Sequence, residues 1–152
     1  MTLDQSFMER NHAATDRIRL MAKLSDEELQ RPVGEHWTIA VLLAHLAFWD
    51  QRVLFVLEKT EQDGALFAHQ ADAYVNDYAL PLLAAIPPQA AVLAAIKAAE
   101  ALDQRLADYP PALLEEIFEY NPRWVHRFIH RNEHLDEAEA ALLNRQSKQV
   151  DG

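Results

Sequence analysis

The chain has no cysteine. A disulfide framework, a thiolate zinc site and a cysteine nucleophile are therefore all excluded. The absence suits a reducing compartment, so a cytoplasmic location is the expectation. Glycine is almost missing too: Gly34, Gly64 and Gly152 are the only three in 152 residues. That leaves no glycine-rich phosphate loop and no G-x-S-x-G elbow, and it argues against turn-rich sandwiches and barrels. Basic residues are scarce, 14 Lys and Arg against 24 Asp and Glu, for a formal net charge of −10. Such a surface repels phosphate backbones, so no nucleic-acid partner is expected. No uninterrupted apolar run approaches the roughly 20 residues that span a bilayer. The polar, acidic start MTLDQSFMERNH lacks the charged-then-apolar plan of a secretion signal, and no membrane partner is expected.

What is present favours helix. Half of the residues are hydrophobic, enough to bury a core, and alanine and leucine, both strong helix formers, dominate. The length fits a single domain over 1–152. Leu3, Phe7, Ala14, Ile18 and Met21 form one face of a helix over about 2–24, with Asp4, Glu9, Asp16 and Arg19 opposite. Ser25 with Glu28 fits a capping box, and Leu24 with Leu29 a hydrophobic staple, so a short turn of helix is predicted before Pro32. Thr38 is a good N-cap for a second long helix to about Lys59. Its stripe is Ile39, Leu42, Leu43, Leu46, Trp49, Val53 and Leu57. A short helix over about 71–83 is weakened by Pro81. A third long helix follows Pro87-Pro88 and runs to about Asp108, with Val92, Leu93, Ile96, Leu102 and Leu106 on its apolar face. After a short helix over 112–119, Asn121 as cap and Pro122 at the first position open a fourth long helix to about Arg145. The expected fold is all-α: a four-helix bundle with short extra helices in the connections. The same helices crossed at steeper angles are the alternative.

Seven histidines are present, and three of them, His126, His130 and His134, are spaced by four. A step of four on a helix advances about 40° and 6 Å, so neighbours in the series project from one side. Two imidazoles placed this way can grip one metal ion. The outer two are about 12 Å apart along the axis, so the gripping pair is either His126/His130 or His130/His134. His45, on the flank of the second long helix, is the best third ligand. Three neutral imidazoles leave an open coordination position, where an ion acts as a Lewis acid or lowers the pKa of water or a thiol. The plain alternative is three solvated histidines on a helix flank. Glu133 and Glu137 can serve as ligand or general base, but solvated outer-face acids are the simpler reading.

The segments WTIAVLLAHLAFWDQRV and HRNEHLDEAEA carry a resemblance. A tryptophan-led helix bearing H-L-x-x-W-D, then a late helix bearing H-x-x-x-H, resembles the DinB-like superfamily of bacterial metal-binding four-helix bundles. That superfamily is related to the N-terminal domain of mycothiol-dependent maleylpyruvate isomerase. ADAYVNDYALPLL is similar to its middle segment, and the likeness covers about residues 36–140. It implies a ligand triad of His45, His130 and His134, with His126 spare. It also implies a divalent metal, zinc or nickel, a homodimer, and for some relatives a thiol-dependent transferase or isomerase using a low-molecular-weight thiol. Two positions depart from the pattern. Leu135-Asp136-Glu137 stands where one large branch has Arg-Gly-Gln, and histidine stands at both late positions where the maleylpyruvate isomerase branch has one glutamate.

The remaining residues read more plainly. Trp37, Trp49 and Trp124 can line a pocket mouth, but core packing or a staple is the expectation. Asn76 is expected to bond within a local turn. Arg127 and Arg131 straddle the histidine pair and are expected in surface ion pairs with Glu133 or Glu137. His12, His36 and His69 are assigned to surface or capping roles. Val41, Phe48 and Phe55 read as exposed apolar residues suited to a subunit contact. Three functions compete: a metal-dependent transferase, isomerase or hydrolase acting on a small molecule; a non-catalytic protein that sequesters a small molecule; and a bundle whose histidines have no joint role.

Overall fold

The computed structural model describes residues 3–151, and the side chains of 3–144. Its helices are α1 (Phe7–Leu20), α2 (Asp26–Leu29), α3 (Ile39–Asp63), α4 (Val75–Ala84), α5 (Pro88–Asp108), α6 (Pro111–Tyr120) and α7 (Arg127–Asp151). The fold is all-α, a helical bundle in which α1 and α3 each pack against both α5 and α7. Short helices fill the connections, as expected.

Local signals set most of the boundaries. Ser25 and Glu28 close a reciprocal capping box on α2, and the Thr38 side chain accepts from Val41 N at the start of α3. Gly64, at φ 67°, ends α3 in the left-handed conformation that glycine adopts without steric cost. Pro87-Pro88 opens α5 and Pro110-Pro111 opens α6. Helix α4 continues through Pro81. By length and composition α3 can cross a membrane, although polar residues interrupt its apolar run. However, 67% of its most apolar window is buried inside the bundle, and that burial accounts for its hydropathy.

Three features differ from expectation. A two-stranded antiparallel hairpin, β1 (Pro32–Val33) and β2 (Trp37–Thr38), replaces a plain loop, pairing Val33 with Trp37. Gly34, at φ 68°, makes its turn. The last long helix begins at Arg127 rather than Pro122. Asn121 does cap, its side chain accepting from Arg123 N, but it caps a 3₁₀ turn over Pro122–Trp124. The break is held by buried Asn11 on α1, whose Nδ2 donates to Val125 O at 2.9 Å and whose Oδ1 accepts from Phe128 N at 2.9 Å. Finally, Val41 is buried and Leu93 is 65% exposed. The hairpin and neighbouring helices enclose the whole first turn of α3, while Leu93 falls on the outer side of α5 beside buried Val92.

The core has two apolar clusters. Leu29, Ile39, Leu42, Leu43, Leu46, Ala95 and Leu135 belong to one, at the hairpin end. Phe7, Val53, Leu57, Leu102, Leu106, Ile117 and Val125 belong to the other. Along α1, α3 and α7, buried polar residues separate the two: Asn11 and Thr15, then Asp50, then Arg127 and Arg131, joined by Asp103 from α5.

Candidate metal centre

His45 sits on α3 and His130 and His134 on α7, so two helices that pack together present the three rings. His45 is 3% exposed, deeper than its flank position implied, and the other two are half-buried. One nitrogen from each ring lies within 4.8 Å of the others. Nε2 of His45 is 3.2 Å from Nε2 of His130. A tetrahedral ion with metal–nitrogen bonds of about 2.0–2.1 Å places its ligands roughly 3.3 Å apart, so the donor set suits a divalent ion in type, and the His45–His130 pair stands at that spacing. Of the two pairs the spacing allowed, the structure selects His130/His134. His126 faces elsewhere, its ring centroid 5.8, 5.0 and 5.3 Å from those of Phe7, Phe118 and Phe128.

Electrostatics keep the His45 and His130 rings neutral. Burial, then the charges of His134 and Arg127, lower the His45 pKa to about 3. Burial, then Arg127 and the other two histidines, take His130 to about 2. Desolvation disfavours the imidazolium, and a neutral imidazole is the form that ligates a metal.

The outer nitrogens differ in what they meet. Nδ1 of His134 lies 3.4 Å from Oε2 of Glu137, an arrangement that leaves Nε2 as a lone pair, as in many metal-ligating histidines. Nδ1 of His130 lies 3.1 Å from Nη2 of Arg127. A guanidinium only donates, so Nδ1 accepts and the ring proton sits on Nε2, directed at His45. For an ion to take Nε2, that proton would have to move to Nδ1 and the Arg127 contact would have to open, so that His130 would bind as a neutral imidazole.

Arg127 and Arg131 are not on the surface. They are 4% and 0% exposed. Their Nε atoms donate to the two oxygens of Asp50 at 2.9 and 3.0 Å, and Arg131 also reaches Asp103 at 2.9 Å. The two arginines face inward because they share the α7 face of His130, and buried charges need partners. Glu133 instead pairs with Arg123 at 2.9 Å, on the exterior.

A cleft of about 330 Å³ opens beside the histidines. Trp37, Trp49 and Trp124 are half-buried along its wall, and Trp37 and Trp124 also pack against the core clusters, as expected. The Trp37 ring centroid is 4.6 Å from that of His45. Asn76 makes no local turn bond: it accepts from Trp49 Nε1 at 2.9 Å and ties α4 to the cleft. His12, His36 and His69 are exposed, as expected.

The model of the mycothiol maleylpyruvate isomerase N-terminal domain family matches residues 11–134, a span that holds all three histidines. The chain belongs to this family. It is thus a DinB-like superfamily member, and the fold and the histidine cluster agree with that membership. No curated protein and no solved structure matches the chain.

Proposed function

We propose that this family member is a divalent-metal enzyme that activates a low-molecular-weight thiol for transfer or isomerisation, with His45, His130 and His134 as ligands. The carrying observation is the convergence of three imidazoles from α3 and α7 within 4.8 Å at the wall of an accessible cleft. An ion held there, zinc or nickel by its nitrogen donors, supplies a Lewis acid with an open position that lowers the pKa of a thiol or water. Glu137 orients the His134 ring. The tryptophan walls restrict water around the reacting group. Thiol chemistry is favoured over hydrolysis because, among the described residues, no carboxylate lines the cleft, and water attack calls for a general base. We place the protein in the cytoplasm as a homodimer, with half-exposed Phe55 and Phe48 available for the contact.

The test is elemental analysis joined to turnover. Purified protein is expected to carry stoichiometric divalent metal, His130→Ala to lose it, and His45→Ala to lose thiol-dependent turnover. Unaltered thiol-dependent activity in His45→Ala overturns the enzymatic reading. Metal-free native protein whose melting ignores added metal overturns the site.

A further inference from the structure

A second cleft, of about 310 Å³, adjoins the first. The two share Trp49, Asn76, Asn121 and Trp124 as lining residues, so they form one trough leading away from the histidines. Arg52 lines its far end. Arg52 is seven residues after His45 on α3. Seven residues bring a helix within about 20° of the same face and about 10 Å further along. The arginine therefore stands directly above the metal-facing histidine at the other end of the trough.

Its charge meets no carboxylate among the described residues and lies over the Phe67 ring, 5.9 Å from the centroid. Arg52 Nη2 donates to His69 O at 2.7 Å, while Nη1 is buried without a partner. The other two arginines along the trough are neutralised, Arg123 by Glu133 and Arg127 by Asp50. No ion pair joins Arg52 to a carboxylate among the described residues. Asp72 lines the same end, but its Oδ1 accepts from Tyr74 N at 2.7 Å. The shared wall also presents donors. Trp49 Nε1 can only donate, so Asn76 shows its oxygen to Trp49 and its NH₂ is left over. Asn121 likewise gives its oxygen to Arg123 N, which leaves its NH₂ free. A buried guanidinium nitrogen and two amide donors, flanked by indole rings, suit an acceptor-rich anion carried on an apolar body.

We infer that the trough binds an elongated substrate or cosubstrate whose distal group, about 10 Å from the histidine cluster, is a carboxylate held by Arg52. This rests on the proposed function only for what occupies the near end. The anchor deepens that reading by naming the ligand class: a molecule with a metal-seeking head, an apolar or planar middle and an anionic tail.

The experiment uses two thiols of equal length, ω-mercaptooctanoate and the neutral ω-mercaptooctanol, followed by tryptophan fluorescence with and without cobalt(II). The carboxylate is expected to bind about tenfold tighter than the alcohol, the scale of one charge-assisted hydrogen bond. Arg52→Gln is expected to abolish that preference without weakening the alcohol, and Arg52→Lys to restore part of it. Equal affinities in the native protein overturn the inference and need no variant. So does a preference that survives Arg52→Gln. Cobalt(II) reports separately on the near end. Preference for the carboxylate without metal dependence keeps the anchor and removes the metal site, while metal dependence without preference does the reverse.

Discussion

Asp50→Asn removes one negative charge from the middle of the bundle while keeping the side chain's shape. Asp50 is 1% exposed and accepts from both Arg127 and Arg131. The cluster of two arginines with Asp50 and Asp103 is neutral overall, and the substitution leaves it with one uncompensated buried cation. Burial already lowers the Arg127 pKa, and Asp50 is the main opposing influence. Breaking a buried pair from one side costs about 3–5 kcal/mol, because the remaining charge has no water. A domain of this size shifts its Tm by roughly 2–4 °C per kcal/mol, so a fall of roughly 6–20 °C is expected in metal-free protein. The assay is urea unfolding followed by circular dichroism, with calorimetry as a check. The double variant Asp50→Asn with Arg127→Gln removes one charge of each sign and is expected to recover part of the loss. A loss below about 1 kcal/mol, the range of an exposed pair, refutes the reasoning, as does a strictly additive double variant.

Two further outcomes follow from the same structure. Folded-state pKa values of about 3 for His45 and about 2 for His130 lie below the ordinary 6.5, so the unfolded chain binds protons that the folded one refuses. Metal-free stability is therefore full above pH 6.5 and drops as the pH falls toward 3, by on the order of 2 kcal/mol per ring by about pH 4.5. Urea midpoints across that range check this, and a flat profile contradicts it. Asn11→Ala strips the partners from Val125 O and Phe128 N, and is expected to cost about 2 kcal/mol or more, with hydrogen exchange at Phe128 accelerated; unchanged protection there contradicts the bridging role.

Locally encoded features were legible in the sequence. Ser25, Thr38 and the proline pairs act on the backbone within a few residues, so helix starts could be read from them. The histidine spacing narrowed the cluster to two pairs, and the resemblance named the one that the structure brings to His45. What escaped were interactions between remote polar residues. Arg127 and Arg131 look like solvated charges on a helix, since nothing in their neighbourhood reveals that Asp50 lies opposite them. The cue was Asp50 itself, an acid within the otherwise apolar α3. Asn11 gave no signal, because its partners lie 114 and 117 residues away. Asn76 was read as a turn former because its real partner, Trp49, comes from another helix. Leu93 fits a helical period, but only the placement of α5 decides which side of the stripe meets the core.

The ionic rung between α3 and α7 joins the same two helices that carry the histidines, with Asp50 five residues beyond His45 and the arginines on either side of His130. Helix separation at that level is thus gauged by a guanidinium–carboxylate contact of fixed length rather than by compressible methyl groups. Repacking the oily ends of the bundle should leave the bite of the three rings unchanged, whereas swapping an arginine for a shorter cation should alter it at once.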